Sequence, residues 1–434
     1  GNEANFVTDS SGNVVGLDPT AGNSPNAGIS AAVVDPRDWN GFDRTGTHDM
    51  LSIVQAAQTQ LETYGAGELF IPYGTVALDG NLIIRGGDPT LAGGYQGGTT
   101  LRGAGKVASV LAFTAGNGIQ IDCGEAPTHG SNSAMAMLSI QSLKITGSGG
   151  GCGIDCGPQG NYQVTPNAVT IRNVWLDGFD DLCRFDDTTC LWLLHNYFTN
   201  YDKAIRLGYN LDTIVGFFNR FGENTTTLGS QSEVAIAWDY ISPRFTGATT
   251  LSGAQNHKFA HNWFMRQALV ADIWDPSASN ITFEHNQLES CTHYAQLGNS
   301  GSTSAPTRVV FQQNTFMRVD GQEETQAKFK FMNDSAAGSL RLTKNTCDTA
   351  TGPKVGWVRC GTGSVVEFED NTLPITGAYV TSAYHLVVGA SGKNIALGSS
   401  ERYTFRPVTG AREVAQWNAS GNDSSPYREC MAYN

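Results

Sequence analysis

The sequence predicts an all-β solenoid, and three observations carry this prediction. A short phrase centred on asparagine recurs along the chain from residue 173 to residue 371. Glycine accounts for 51 of 434 residues, well above its usual share of ~7%. One helical pattern lies ahead of the repeats, and the repeats themselves carry short β-rich runs. Such regular self-similarity is typical of chains that stack one structural unit on the next.

The repeated phrase reads apolar, two residues, Asn, one residue, apolar. Its eight copies centre on Asn173, Asn196, Asn219, Asn262, Asn286, Asn314, Asn345 and Asn371. Because Asn tolerates the left-handed backbone conformation, each copy is predicted to turn the chain between two strands. The Asn side chains are predicted to hydrogen-bond from coil to coil, and the flanking Phe and Leu to stack in the core. The long interval between Asn219 and Asn262 is interpreted as two coils, one without its phrase.

Ahead of the repeats, apolar residues at positions 50, 53, 54, 57 and 61 follow helical spacing. This pattern predicts a short helix near residues 48–63, with Thr47 or Asp49 capping its start.

The order of motifs around this helix resembles that of the pectate-lyase-like superfamily. The matching positions are Gly46, Asp49, Gly67, Ile71, Pro72, Gly74, Thr75, Leu101, Gly103 and Gly105. The family's usual Gly-Asp-Gly before the helix is replaced here by residues 42–46. The resemblance covers roughly residues 31–373. It implies a right-handed single-stranded parallel β-helix with a short N-terminal capping helix and a C-terminal cap.

Composition divides the chain into three predicted regions. Residues 1–30 are rich in Gly, Asn, Ser and Pro and are predicted to form an extended lead-in. Residues 31–376 are predicted to form the β-helix. Residues 377–434 lose the Asn phrase and are predicted to form a C-terminal cap or trimerisation region.

Within the superfamily, the sequence looks most like a phage tailspike that depolymerises bacterial capsules. That resemblance implies a homotrimer, a bacterial surface polysaccharide as partner, and a place on the virion tail or outside the cell. No signal peptide is visible, and no apolar run is long enough to span a membrane, so no membrane insertion is expected.

Charge and cysteine content narrow the function classes. The net charge is −13 and no basic stripe is found, so nucleic-acid binding is not expected. No metal site or cofactor is predicted. Cys152 with Cys156, and Cys183 with Cys190, are candidate disulfides, although small buried residues of a packed core are the favoured interpretation.

Two Trp-Asp pairs provide the first candidate site, Trp238-Asp239 and Trp274-Asp275. If the pairs stack in neighbouring coils, Asp239 and Asp275 lie side by side as catalytic carboxylates at glycosidase spacing. The two Trp rings would then offer flat faces to sugars. The alternative is that both Trp side chains lie in the core and both Asp residues begin turns.

The second candidate site lies on the Asn phrase. Glu284 and Glu289 join Asp239 and Asp275 as candidate acids, bases or nucleophiles. Asp272, His261, His285 and Arg206 are candidates for orienting the sugar. The alternative is an ordinary solvated face. The run Phe179-Asp180-Asp181 is interpreted as a turn, because the motifs that accompany paired Asp residues in polygalacturonases are missing.

Together these features predict a polysaccharide depolymerase that acts by carboxylate-mediated hydrolysis. Hydrolysis is favoured because carboxylates outnumber basic residues around positions 230–290. A lyase that cleaves a uronate-containing glycan by β-elimination is the alternative, and a non-catalytic glycan-binding adhesin is the second alternative. All three share one fold, so the fold does not separate them.

Overall fold

The computed structural model describes 18 segments of the chain. They are residues 6–8, 14–17, 32–63, 67–85, 98–122, 137–156, 168–186, 188–208, 211–222, 233–239, 255–317, 328–332, 337–347, 358–360, 365–369, 371, 386–388 and 394–395. These segments form a parallel β-helix, as predicted. Each coil passes in turn through three parallel sheets, here called sheet one, sheet two and sheet three.

The strands of sheet one are the first of each coil. They are Ala32–Val34, Gly67–Ile71, Thr99–Gly103, Met137–Gln141, Ala168–Arg172, Cys190–Leu194, Thr213–Phe217, Gln255–Ala260, Ser279–Glu284, Thr307–Gln312, Ser339–Thr343, Val365–Glu369 and Asn394–Ile395.

Sheet two follows sheet one in every coil. Its strands are Thr45–Asp49, Gly74–Asp79, Ser109–Ala115, Lys144–Thr146, Trp175–Asp177, Tyr197–Thr199, Arg220–Phe221, Trp263–Met265, Gln287–Glu289, Thr315–Met317 and Thr346–Cys347.

Sheet three completes each coil. Its strands are Leu82–Arg85, Ile119–Asp122, Cys152–Cys156, Asp181–Phe185, Lys203–Leu207, Val234–Ala237, Leu269–Ile273, His293–Leu297, Phe329–Phe331, Val358–Cys360 and Leu386–Val388. A separate antiparallel hairpin joins Phe6–Thr8 to Val14–Leu17. The three-region division predicted from composition remains a prediction, and two short strands after residue 376 extend sheets one and three.

The predicted asparagine ladder is present at the corner between sheets one and two. In Asn262, the backbone N–H and the Nδ2 group both donate to Oδ1 of Asn286, at 2.8 and 3.1 Å. Nδ2 of Asn262 also donates to the Gly216 carbonyl at 2.9 Å. The same pattern runs from Asn196 to Asn371. Every ladder amide is therefore fully hydrogen-bonded inside the coil stack.

The left-handed residue at this corner is not the ladder Asn, which corrects the sequence interpretation. The positive φ angles occur one position earlier, for example 57° at His195 and 55° at His261. The ladder Asn must turn its side chain inward, whereas the preceding residue makes the corner and points outward. Asn173 is itself a corner residue with φ 53°, and Val174 occupies the ladder position, where its N–H donates to Asn196.

The interval from Asn219 to Asn262 is one coil, not two. Asn219 donates directly to Asn262, at 2.9 Å from its backbone N–H. The strands on either side of this interval also pair directly in all three sheets. The additional residues fall where the chain enters and leaves sheet three, at 222–233 and 238–254.

Inward-facing Phe residues stack along the coil axis, as predicted. Phe259, Phe283 and Phe311 form one column, with ring centroids 5.2 and 4.5 Å apart. Another column lines sheet two, in which Phe198, Phe221 and Phe264 are 4.8 and 4.7 Å apart. Burying each of these rings contributes about 1.5–3 kcal/mol.

The predicted N-terminal helix spans Leu51–Thr63. Its N-terminus is capped by Asp49, whose Oδ1 accepts from the Leu51 N–H at 2.9 Å. Gln55 both accepts from the Ile83 N–H and donates to the Ile83 carbonyl, each at 2.9 Å. The helix therefore covers the first strand of sheet three and satisfies part of its edge.

Six cysteines with described surroundings are free thiols, including Cys152, Cys156, Cys183 and Cys190. The two candidate disulfides are therefore not formed. Burial raises the pKa of Cys183 well above its usual range by desolvating the thiolate, so this group is an inert part of the core. In the described part of the chain, no helix has both the length and the apolar character needed to cross a membrane.

Candidate functional site

Charged side chains gather on the outward face of sheet three. In successive coils one column reads Gln120, Asp155, Arg184, Arg206, Ala237, Asp272, Gln296 and Lys330. Because parallel strands lie ~4.8 Å apart, neighbouring members of this column are within reach of one another. Sheet three is therefore the face on which ionisable groups are brought together.

Asp239 lies at the centre of this face, just after the strand Val234–Ala237. One carboxylate oxygen accepts from Nε of Arg206 at 3.0 Å, and the other is bound by Nζ of Lys203. The Asp239 side chain is 17% exposed. Two partly buried cations therefore bind this carboxylate and fix its orientation.

A second carboxylate extends the network toward the N-terminal coils. Oδ2 of Asp181 accepts from Nη1 of Arg206 and from Nη2 of Arg184, both at 3.0 Å. Arg184 also contacts the buried Asp155, at 3.4 Å. The guanidinium of Arg206 thus bridges Asp181 and Asp239 across coils that are distant in sequence.

Asp272 faces the same network from the next coil. The register places Asp272 beside Ala237, and Ala237 lies two residues before Asp239 in the sequence. The pKa of Asp272 is raised to about 6, chiefly by burial and in smaller part by the negative charge of Asp239, against the opposing effect of Lys203. Asp239 and Asp272 are therefore two neighbouring carboxyl groups in opposite environments, the arrangement that separates an acid from a base.

The two Trp-Asp pairs lie just beyond the regular part of their strands. Ala237 pairs with Asp272. The Trp238 N–H then donates to the Asp272 carbonyl at 2.7 Å, and the Asp275 N–H donates to the Trp238 carbonyl at 3.2 Å, so one extra residue lies between these two bonds. The side-by-side placement of Asp239 and Asp275 stays a prediction.

The two Trp residues also differ. Trp238 is 1% exposed and packs in the core, where its indole N–H donates to Nδ1 of His257 at 2.9 Å. Burial lowers the pKa of His257 to about 4, so this imidazole accepts as a neutral group. Trp274 lies two residues after Asp272, on the same outward face of sheet three, and is half-buried. Only Trp274 can therefore offer a ring to a ligand at this site.

Asp275 serves the turn that follows Ile273. Its Oδ1 accepts from the backbone N–H and the hydroxyl of Ser277, both at 2.8 Å. Burial raises the pKa of Asp275 to about 6, although the Ser277 hydrogen bonds oppose this shift. At 1% exposure Asp275 is enclosed, as the turn interpretation anticipates.

The two candidate glutamates lie on other faces. Glu284 ends a strand of sheet one, where it is ion-paired with Lys258 and accepts from Gln312 at 2.6 Å. Burial opposes the shift, but these two hydrogen bonds lower the pKa of Glu284. Glu289 ends a strand of sheet two and accepts from the indole N–H of Trp263 at 3.2 Å. Neither joins the network on sheet three.

His261 and His285 stand outside the corner between sheets one and two. Their rings are stacked at 5.0 Å, and His261 also stacks on Phe218, which stacks on His195. All four side chains are exposed. Across the described segments, no group of three or more His, Cys, Asp or Glu side chains is arranged to hold a metal ion. The structure thus separates both histidines from Arg206 and Asp272.

Sequence analysis did not identify four members of the network: Asp155, Asp181, Arg184 and Lys203. Asp181 was interpreted as part of a turn, yet it begins the strand Asp181–Phe185 and is 7% exposed. One signal in the sequence could have located these residues. The number of residues between the ladder Asn and the first residue of the sheet-three strand is the same in several coils, for example from Asn196 to Lys203 and from Asn262 to Leu269. In the coil that carries Asp239 the segment between Asn219 and the strand that begins at Val234 is longer, so the constant spacing is lost there.

Comparison with known proteins identifies the fold. No protein-family model matches the sequence, and no curated protein sequence matches it. Solved structures do match. The Agl-KA catalytic domain superposes with a TM-score of 0.55 at 14% identity, over 90% of this chain. The chain spans 65% of that domain, slightly less than two thirds of its length.

Two further matches are catalytic regions of GH87 α-1,3-glucanases. One, in complex with nigerose, has a TM-score of 0.56 at 12% identity and covers 88% of this chain and 70% of its own. The other, from Streptomyces thermodiastaticus, has a TM-score of 0.50 at 15% identity and covers 94% of this chain and 72% of its own. At these identities the likeness extends to the fold alone.

Proposed function

We propose that this chain is a glycoside hydrolase that cleaves a polysaccharide on the outward face of sheet three. The observation that carries the proposal is the proximity of Asp239, which is bound by Lys203 and Arg206, to Asp272, whose pKa burial raises to about 6. Glycosidases need one carboxylic acid and one carboxylate across the scissile bond. Sheet three supplies both from neighbouring coils.

In this proposal Asp272 is the general acid. Near and below pH 6 its protonated carboxyl donates a proton to the glycosidic oxygen, and the bond from that oxygen to the anomeric carbon breaks. Asp239 acts on the opposite side of the sugar, as the base that removes a proton from water or as the nucleophile. Lys203 and Arg206 stay bound to Asp239 and keep it aligned.

Trp274 completes the proposed site as a sugar platform. It projects from the same strand end as Asp272 and is half-buried, so one side of the indole is supported and the other meets solvent. Aromatic rings bury large apolar area with little loss of side-chain freedom. The polymer would lie along the column, with successive sugars meeting successive coils.

The proposed substrate is a bacterial capsular or exopolysaccharide, and the proposed assembly is a homotrimer of tailspike type at the host-facing tip of a virion or outside the cell. The likeness of the sequence to phage tailspikes supports this proposal. The two GH87 neighbours are α-1,3-glucanases, which supports a glycan-degrading role in general. They do not extend to the sugar or linkage.

A lyase is the second candidate, and the same network favours it. Elimination requires a cation near a uronate carboxylate and a base near the C5 proton. Lys203 and Arg206 are adjacent cations on sheet three. Both are already bound to Asp239, so hydrolysis remains the preferred proposal.

Two substitutions test the proposal directly. Asp239→Asn and Asp272→Asn are each expected to slow the fall in viscosity of a sensitive capsular polysaccharide by about 10²-fold or more, with cooperative thermal unfolding retained. Asp239→Asn is expected to unfold at a lower temperature, because Lys203 and Arg206 lose their charged partner. Asp38→Asn, which alters an exposed carboxylate at the N-terminal end, is the matched control and keeps full activity. Full activity in both sheet-three variants would contradict the assignment of this pair.

A further inference from the structure

The balance of charge changes along the outward column of sheet three. On the N-terminal side of Asp272, each of the cations Arg184, Lys203 and Arg206 is bound by a carboxylate. On the C-terminal side the column continues with Gln296 and Lys330, neither of which is acidic. Along the outward column of sheet three, ion-paired cations therefore give way to a lysine without a neighbouring acidic residue in the column.

Lys330 differs from the other lysines of sheet three and its border. Lys203 is ion-paired with Asp239, and Nζ of the buried Lys328 donates to two backbone carbonyls at 3.0 and 2.9 Å. Lys330 is half-buried on the outward face, and among the described residues it has no carboxylate or carbonyl partner. A half-buried ammonium without a protein partner is a ready counter-charge for a bound anion.

The position of Lys330 relative to Asp272 follows from the register. Asp272 is aligned with Gln296, and Gln296 with Lys330. Two coil steps of ~4.8 Å place the Lys330 backbone roughly 10 Å from that of Asp272. A polysaccharide that crosses the Asp239–Asp272 pair and runs along the column would reach Lys330 with a sugar beyond the cleavage point.

We propose that the site takes an anionic polysaccharide, and that Lys330, with the Gln296 amide beside it, binds an acidic group on a sugar about two coils from Asp272. This inference rests on the proposed function for the path of the polymer. It adds the substrate class and a specificity-determining residue that neither the motifs nor the fold contains.

The overall charge makes such a residue necessary. With a net charge of −13 the protein repels a polyanion at long range. A cation on the partly desolvated outward face of sheet three attracts an anionic sugar more strongly than a fully exposed lysine does, because screening by water is weaker there. Lys330 is placed to offset the repulsion at the point of contact.

The test compares binding of acidic capsular polysaccharides with binding of the same polymers after carboxyl reduction to neutral sugars. Affinity electrophoresis of the full chain gives the dissociation constants. The variants are Lys330→Gln and a control, Lys106→Gln, which removes a half-buried lysine in the turn between Gly103 and Ser109. Unfolding curves establish that both variants fold.

The wild type is expected to bind at least one acidic polymer about tenfold more tightly than its reduced form. Lys330→Gln is expected to lose most of that preference and to flatten the salt dependence, whereas Lys106→Gln keeps both. Equal retention of the preference in Lys330→Gln would overturn the inference, as would binding of neutral polymers only or of none.

Failure of the proposed function would look different. Binding of an acidic polymer that depends on Lys330, without any loss of polymer length, would keep the anionic subsite and contradict hydrolysis. Cleavage of a neutral polymer that depends on Asp239 and Asp272, with no effect of Lys330→Gln, would keep hydrolysis and overturn the anionic subsite.

Discussion

The corner between sheets one and two and the outward face of sheet three are built by opposite rules. At the corner the same side chain recurs coil after coil, and each ladder Asn makes the same hydrogen bonds as the one before it. On sheet three no residue type fills the column. Asp, Arg, Ala and Gln follow one another, and the interactions are specific to single coils.

This difference separates what holds the solenoid together from what gives it chemistry. A repeated, hydrogen-bonded ladder stabilises the stack of coils but carries no ligand preference. The outward column of sheet three has no repeated stabilising contact. It does place the buried Asp272 near Asp239, which is ion-paired. The insertions at 222–233 and 238–254 fall at the borders of sheet three and leave the ladder intact.

Asn286→Ala tests the ladder and is expected to have the largest effect. It removes the acceptor of two hydrogen bonds from Asn262 and the donor to the Phe259 carbonyl and to Oδ1 of Asn314. Four buried groups each lose a hydrogen bond, at about 1–3 kcal/mol each, so a loss of about 5 kcal/mol or more in unfolding free energy is expected. Chemical denaturation followed by circular dichroism measures it.

The control for this prediction is Asn280→Ala. Asn280 also faces an Asn in the adjacent coil, but outside the stack and at 3.4 Å. Its removal is expected to cost less than about 1 kcal/mol. Equal losses in the two variants would mean that the ladder contributes no more than an outer contact.

The pH dependence of cleavage tests the sheet-three pair. If Asp272 is the general acid, the rate falls about tenfold per pH unit above pH 6, because the protonated form disappears. Asp272→Asn is expected to reduce the rate by about 10²–10³-fold and to remove this descending limb. A residual rate in Asp272→Asn with an unchanged limb near pH 6 would assign the titration to another group.

Asp275→Asn sharpens the comparison by testing a buried carboxyl outside the proposed chemistry. The folded-state pKa of about 6 lies above the unfolded value, so Asp275 favours folding at low pH and this contribution is lost as pH rises through 6. Relative to wild type, the variant is expected to gain about 2–3 kcal/mol between pH 4 and pH 7.5.

Urea unfolding at the two pH values measures this gain, with the exposed Asp212 as the Asp→Asn control. The Ser277 hydrogen bonds are retained because the Asn side chain keeps an acceptor oxygen. An Asp275→Asn variant whose relative stability is the same at both pH values would show that this carboxyl is not held at a raised pKa.

Trp274→Ala is expected to have the smallest effect. Loss of one stacking face is worth about 0.5–1.5 kcal/mol, so KM should rise by about threefold to tenfold with kcat nearly unchanged. Trp238→Phe probes the core instead, because Trp238 is enclosed. It is expected to lower the unfolding free energy and leave KM unchanged, and a reversed pattern would exchange the roles of the two residues.

Much of the fold was accessible from the sequence because its determinants repeat. Seven of the eight Asn positions lie in the ladder, and the helix begins where Asp49 can cap it. The corner conformation was assigned one residue late, since sequence spacing does not distinguish the inward Asn from the outward residue before it. Asn173 is the copy in which the two roles separate.

The candidate site was less accessible because it depends on register in a coil with long insertions. Asp239, Asp272 and Arg206 were identified as individual residues, and the structure brings them together. Their partners Lys203 and Asp181 carry no motif, so sequence spacing alone did not indicate them. The side-by-side placement of Asp239 and Asp275 stays a prediction.

The most direct test of the central claim is cleavage in H₂¹⁸O of a polysaccharide whose viscosity the wild type lowers, with mass spectrometry of the fragments. Hydrolysis through Asp239 and Asp272 predicts one ¹⁸O atom for each cleaved bond, at the new reducing end, and fewer fragments from Asp272→Asn by about 10²-fold or more. Fragments that lack added water and absorb in the ultraviolet would establish elimination and contradict the proposed hydrolysis.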